Sequence, residues 1–281
     1  MKWKIVADSG CDIKIYETGS PNIGFENVPL SIDVQGETFI DDLDIDIPHL
    51  LDRLNESKKG SSSAAPAPGR YAEAFKGAEN VICFTLSSAL SGSYNSAVLG
   101  AELVKEENPM VNIHVFDSKS AGAEENLLVV RAMALAHEDV SFNDMVEQMN
   151  AYHQRTNIVF MLQSVDNLRS NGRLSWTQAT LIGLLGMRLI GRRTSEGVIE
   201  LSDKARGERR GIAALMNFLE ENHYQNGRIE LSHSNSPQLA TRIEAAINDR
   251  FKPESVTIRD MSGLCNYYAE RGGIILGFED G

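Results

Sequence analysis

Short apolar runs of strand character alternate with segments of 3.6-residue period along almost the whole chain, and this alternation limits the fold more than any other feature. The strand-like runs are Trp3–Ala7, Val28–Val34, Val81–Leu86, Val111–Phe116, Ile158–Leu162, Ile229–Ser232, Val256–Ile258 and Ile274–Phe278. Between several of them lie apolar stripes of helical spacing. Tyr94, Ala97, Val98, Ala101 and Val104 form one, and Phe142, Met145, Val146 and Met149 another. Ile212, Leu215, Met216 and Leu219 make a third, and Leu239, Ile243, Ala246 and Ile247 a fourth. Ser141 and Ser236 stand where N-caps belong, the latter followed by Pro237 at the first helical position. Such a pattern predicts an α/β chain with largely parallel sheets flanked by helices. At 281 residues the chain exceeds one ordinary domain. We place an N-terminal α/β domain at 1–160 and a C-terminal α/β domain at 161–281. The Ser-, Ala-, Gly- and Pro-rich stretch from Ser57 to Arg70 reads as a loop, and a second break falls at Asn171–Ser175.

Charge and cysteine usage exclude several functions. A formal charge of −12 argues against nucleic acid as a partner, since the densest cationic stretch, Arg206–Arg210, contains Glu208. Cys11, Cys83 and Cys265 are far apart, with no C-x-x-C and no histidine at ligand spacing. Neither a disulfide framework nor a metal site is expected, and a reducing, cytoplasmic setting is. The opening Met1–Asp8 turns acidic too soon for a signal peptide. The most membrane-like stretch, Thr180–Gly191, carries Arg188 and falls well short of ~20 apolar residues, so no integral membrane segment is expected.

Chemistry is expected beyond the carboxyl ends of the strands. Three such junctions are rich in hydroxyls: Asp8-Ser9-Gly10-Cys11-Asp12, Ser87 through Tyr94, and Asp117 through Gly122. Small hydroxyls with free N–H groups at a helix start make an anion cradle; serines at such places also cap helices and fill turns. G-x-S-x-G, H-E-x-x-H and Walker-type sequences are all absent. A nucleophile set could be assembled only from distant residues such as Ser91, His233 and Asp117. One basic residue stands apart, Arg173 in the turn Asn171-Gly172-Arg173-Leu174: an arginine can grip a carboxylate by two parallel hydrogen bonds, and the same spacing also fits an ordinary turn with a solvated arginine.

Taken in order, these segments resemble the DegV family. Asp8-Ser9-Gly10-Cys11-Asp12 is similar to its opening D-S-s-C-D, and Ser63-Ala64-Ala65-Pro66-Ala67-Pro68 to its T-S-Q-P-S-P loop. Ser87-Ser88-Ala89-Leu90-Ser91-Gly92-Ser93-Tyr94 is similar to S-S-x-L-S-G-T-Y, the most specific match. Asp117-Ser118, Gly172-Arg173-Leu174 and His233 with Pro237 follow. The resemblance implies two α/β domains with a long-chain fatty acid in a tunnel between them. It implies a carrier that does no chemistry, needs no cofactor beyond the bound acid, and presents the carboxylate to a fatty acid kinase catalytic subunit. Ser63 and Ser91 stand where the family's hydroxyls bind the carboxylate, with Ser88 in the same loop, and Arg173 at the arginine of the G-R turn.

The chain departs from the family at the head-group end. Ala64 and Ala65 replace Ser and Gln, and Gly263–Gly273 has no histidine where the family has H-x-G-P-G. Tyr267 or Tyr268 is expected to supply the missing polar group, unless the head group differs from a simple carboxylate. The candidate apolar lining is Leu181, Ile182, Leu184, Leu185, Ile274, Ile275 and Leu276. Two other readings stand beside the carrier: a serine-dependent acyl or phosphoryl hydrolase using Ser91, and a metabolite-sensing regulatory module.

Overall fold

The computed structural model describes residues 1–56, 60–174 and 186–280. The chain runs β1 (Trp3–Asp8), β2 (Ile23–Val28), β3 (Ser31–Val34), β4 (Glu37–Ile40), α1 (Ile47–Glu56) and β5 (Ser61–Ala64). It continues through α2 (Pro68–Phe75), β6 (Asn80–Thr85), α3 (Ser93–Glu107), β7 (Asn112–Asp117), α4 (Ala123–His137) and α5 (Phe142–His153). Then come β8 (Thr156–Leu162), α6 (Asp166–Ser170), β9 (Met187–Arg193), β10 (Ile199–Arg206) and α7 (Glu208–Glu221). The last elements are β11 (Arg228–His233), α8 (Pro237–Arg250), β12 (Ser255–Asp260), α9 (Gly263–Ala269) and β13 (Ile274–Glu279).

Two sheets carry the α/β architecture. The first, ordered β2-β1-β6-β7, is parallel throughout, as the alternation predicts. Its strands β1 and β6 are buried at every residue because helices cover both faces. Even Lys4 fits, its ammonium donating to the carbonyls of Ala74 at 2.9 Å and Lys76 at 2.7 Å. The second sheet, ordered β10-β9-β8-β13-β11-β12, departs from the parallel expectation: only β11 and β12 run parallel. The cause is the connections. Thr194–Val198 is too short for the crossover that a parallel neighbour needs, so β9 and β10 form a hairpin. The final strand, β13, then inserts between β8 and β11, antiparallel to both. Residue 160 lies inside β8, all of whose strand pairing is within this second sheet.

Helix α4 joins the two sheets. It rests on β1 and β6 on one side and on β8, β11 and β13 on the other. A helix covered all round has little exposed face, and eleven of its residues are buried, including Glu124, Glu125 and Asn126. Its N-terminus lies so close to β13 that a Cβ on Gly277 would sit 2.5 Å from the backbone of Ala123 and Glu124.

Several local expectations hold and others are corrected. Ser141 does cap α5, accepting from the Asp144 N–H at 3.2 Å. Pro237 opens α8, but Ser236 makes no capping hydrogen bond. Val28–Val34 is two strands, because Pro29 has no N–H to continue a ladder. The stretch read as a loop contains β5, which pairs antiparallel with β3 and sets Ser63 opposite Ile32, and it leads into α2, which opens on Pro68. Among the described residues, no helix is long and apolar enough to cross a membrane. The three cysteines are unpaired and buried.

Candidate ligand-binding site

A cavity opens between the strand ends of the parallel sheet and one face of the antiparallel sheet. Its floor is β8, where Ile158, Phe160 and Leu162 alternate onto one face. At ~3.3 Å per residue this ladder is ~13 Å long. Ile199, Ile275 and Leu168 extend it, and Leu264, Cys265 and Ala269 of α9 form a side wall. Ile158, Phe160, Leu162, Leu168, Cys265, Ala269 and Ile275 belong to one buried apolar cluster with Leu174 and Met261.

Polar groups gather at the end of the ladder beyond Leu162. Ser63, Ser91, Arg173 and Tyr268 all line the cavity. The Ser63 and Tyr268 hydroxyls are hydrogen-bonded at 2.9 Å, which ties β5 to α9 across 205 residues of chain. The Ser91 hydroxyl accepts from the Ser93 N–H at 3.2 Å at the start of α3, a helix end with no side-chain cap. The positive end of α3 therefore lies beside Ser91. The Arg173 guanidinium is oriented by donating to the carbonyls of Leu90, at 3.0 Å, and Asn171. Two hydroxyls, a phenol and a fixed cation suit a carboxylate, whose burial unpaired would cost several kcal/mol.

The other two residues singled out from sequence lie elsewhere. Ser88 is exposed and bound to Asp117, through its N–H at 3.0 Å and its hydroxyl. Tyr267 is fully buried, its hydroxyl donating to Ser61 at 3.0 Å and accepting from the Asn171 amide at 2.7 Å. It positions the Gly172-Arg173 turn against β5 and does not face the cavity. Of the expected apolar lining, Ile275 faces the cavity, whereas Ile274 and Leu276 point into the core under α7 and α8. Leu181, Ile182, Leu184 and Leu185 lie outside the described residues. Ser91, His233 and Asp117 make no bond to one another: Asp117 holds Ser88 and the Lys119 N–H, and His233 faces Asp260.

Other residues the sequence reading passed over shape the site. At the far end of the ladder, Arg193 lines the cavity and makes a bidentate pair with buried Glu124, both bonds 2.8 Å. Lys119 and Gly197 close the same end, where Ser87 donates to the Gly197 carbonyl at 2.8 Å. Gly197 has φ +80°, and a Cβ there would lie 2.3 Å from the Ser87 hydroxyl.

Beneath the Ser87–Ser93 loop, Asp8 is fully buried and accepts from the Gly10 N–H at 2.8 Å, the Leu86 N–H at 3.1 Å, Tyr71 and Ser93. Burial raises its pKa to about 6 against the pull of these donors. Burial and the neighbouring Asp8 also raise Glu125, whose Oε2 has no hydrogen-bond partner. Gly10 is required here, since a Cβ would meet Asp8 at 2.8 Å and Glu125 at 2.9 Å. Ile158–Leu162 is apolar at every position, with Val159 and Met161 in the core on the other face, so no alternation marks the floor in sequence, and nothing local signals Glu124–Arg193. Among the described residues, no group of three or more His, Cys, Asp or Glu could hold a metal ion.

Known proteins are similar to this chain over its whole length. Residues 2–279 match the model of the family described as "Uncharacterised protein, DegV family". A DegV domain-containing protein of Streptococcus pyogenes serotype M3 is 40% identical over 279 residues, 99% of this chain and 100% of its own. The Streptococcus pneumoniae fatty acid kinase (Fak) B3 protein, solved loaded with linoleic acid, superposes with a TM-score of 0.97 at 39% identity, covering 100% of both chains. A DegV family protein from Eubacterium eligens, solved with heptadecanoic acid, superposes with a TM-score of 0.94 at 34% identity, covering 99% of this chain and 100% of that one. The two-domain α/β fold, the order of motifs and the full-length match agree, and the chain belongs to the DegV family.

Proposed function

We propose that this protein is a non-enzymatic cytoplasmic carrier that holds a long-chain fatty acid and presents its carboxylate to a fatty acid kinase catalytic subunit. The observation that carries the reading is a cavity with an apolar floor in whose lining Ser63, Ser91, Arg173 and Tyr268 come together. In this reading the acyl chain lies along Ile158, Phe160 and Leu162, and the carboxylate sits among Ser63, Ser91, Tyr268 and Arg173. Each buried CH₂ contributes ~0.8 kcal/mol, and the polar cluster offsets the desolvation of the head group. Tyr268 takes the place of the family's histidine by reaching Ser63. The relatives solved with linoleic and heptadecanoic acid support the ligand class, and the name of the first supports the kinase partner.

The test is mass spectrometry of an organic extract of protein purified from cells, followed by reloading of the delipidated protein. A C14–C18 acid in the extract and saturable reloading are expected. An extract without lipid, and no binding of any acid in that range, would refute the reading. No observation favours the hydrolase, since among the described residues no base is bonded to Ser91.

A further inference from the structure

We propose that a second cavity, between α1, α9 and the ends of β11 and β12, is a binding site for an alkylammonium or guanidinium group on a short aliphatic stem. Its walls are Ile47, Pro48 and Leu51 on one side, with Met261 beneath, and its polar lining is His233, Asn235, Asp260 and Asn266. The lining differs entirely from that of the fatty-acid cavity, although α9 serves both: Leu264, Cys265, Tyr268 and Ala269 face one and Asn266 the other.

The polar atoms that face this space seek a donor. Asn266 is 2% exposed, and its amide nitrogen donates to the carbonyls of Met261 at 2.7 Å and Ser262 at 3.0 Å. Those two bonds fix the amide orientation, so Oδ1 is the free end, and it is buried without a partner. His233, 5% exposed, likewise has a buried Nδ1 without a hydrogen bond, and Asp260 Oδ1 is 3.4 Å from it. Buried polar atoms left unmatched in a native chain call for an explanation. An amide oxygen and a carboxylate, with the His233 ring beside that carboxylate, together describe a pocket for N–H groups of positive charge.

Other ligand chemistries fit less well. An anion would face the Asp260 carboxylate and the Asn266 oxygen, with no lysine or arginine in the lining. A metal ion would have one carboxylate and one imidazole, and no cluster of three or more His, Cys, Asp or Glu occurs among the described residues. The apolar wall has no role for a bare ion, whereas it suits a three- or four-carbon stem, as lysine and arginine stems lie along apolar surface. The cavity volume, about 310 Å³, admits a ligand of that size. Such a group could belong to a free amine or to a basic side chain of a partner protein.

The site is tested on the isotope-labelled full chain by NMR, following the Asn266 amide and the His233 ring. Separate titrations use n-butylammonium, n-butylguanidinium and N-acetyl-lysine methylamide, with butyrate and zinc chloride as controls. Saturable shifts with a cationic probe and none with butyrate are expected. Tighter binding of the simple amine would point to a free metabolite, and tighter binding of the lysine amide to a protein partner. Asp260→Asn, at a 90% exposed side chain, should weaken binding about tenfold and Asp260→Lys should abolish it, with fatty-acid loading unchanged in both. Absence of saturable shifts with all three cationic probes, a response to zinc alone, or binding indifferent to Asp260→Lys would overturn the proposal.

Discussion

Replacing Tyr268 by phenylalanine separates the head-group role of this residue from its packing. The ring stays, against Tyr267 with centroids 4.6 Å apart, and only the hydroxyl that meets Ser63 at 2.9 Å is lost. In the folded protein alone the loss is one neutral hydrogen bond between half-buried groups, ~0.5–1.5 kcal/mol. For a chain of this size that lowers Tm by about 1–3 °C. With a carboxylate bound the same hydroxyl makes a charge-assisted bond, worth ~1.5–3 kcal/mol, so affinity should fall roughly 10- to 150-fold. The assay is calorimetric titration of delipidated protein with palmitate and, in parallel, hexadecanol. The acid should lose the full factor and the alcohol much less, because only the acid brings a charge. Equal loss for both ligands, or unchanged palmitate affinity with a lowered Tm, would refute the assignment of Tyr268 to the carboxylate.

Further expectations follow from other parts of the site. Arg173→Ala should weaken palmitate binding at least tenfold while shifting the denaturation midpoint little, since its own bonds are to two loop carbonyls; equal loss of both would make it a structural residue. Asp8 has a folded pKa of about 6, above its ordinary 3.8, so the folded state holds the extra proton. Its contribution to stability is therefore greatest below pH 4 and declines as pH rises to about 6. Urea denaturation from pH 4 to 8 should show that decline reduced in Asp8→Asn, and an unchanged slope would contradict it. Gly197→Ala would press a Cβ on Ser87 at 2.3 Å in a left-handed turn; a loss of ~1–3 kcal/mol in the same assay is expected, and full stability would show that the hairpin tip does not rest on this loop. A fluorophosphonate probe should leave Ser91 unlabelled; labelling would revive the hydrolase.

How much was legible in the sequence depends on whether a signal is local. β1 and β6 show as apolar runs, Trp3–Ala7 broken only by Lys4 and Val81–Leu86 only by Thr85, and Ser141 shows as a cap because its partner is three residues away. Strand direction in the second sheet was not legible, because it depends on where β13 inserts after all the others are in place. β5 carries no strand signal, since Ser61–Ala64 has no apolar alternation and its pairing comes from β3 some thirty residues earlier. At the site, Ser91 and Arg173 stand out from their own segments and Ser63 only through the family resemblance, and their meeting is a tertiary fact. A choice between Tyr267 and Tyr268 could not be made on sequence, because the two are adjacent in α9, their ring centroids lie 4.6 Å apart and both hydroxyls reach serines of β5. One reaches Ser63 in the cavity and the other Ser61 behind it. The Glu124–Arg193 pair, 69 residues apart, had no sequence signal at all.

The most direct test of the central claim is ¹³C NMR of carboxyl-labelled palmitate added to delipidated protein. The account predicts one bound carbonyl resonance that saturates at one equivalent, stays in the ionised position from pH 8 to pH 5, and is lost in Arg173→Ala. A spectrum showing only free or micellar palmitate, or a bound signal unaffected by Arg173→Ala, would contradict it.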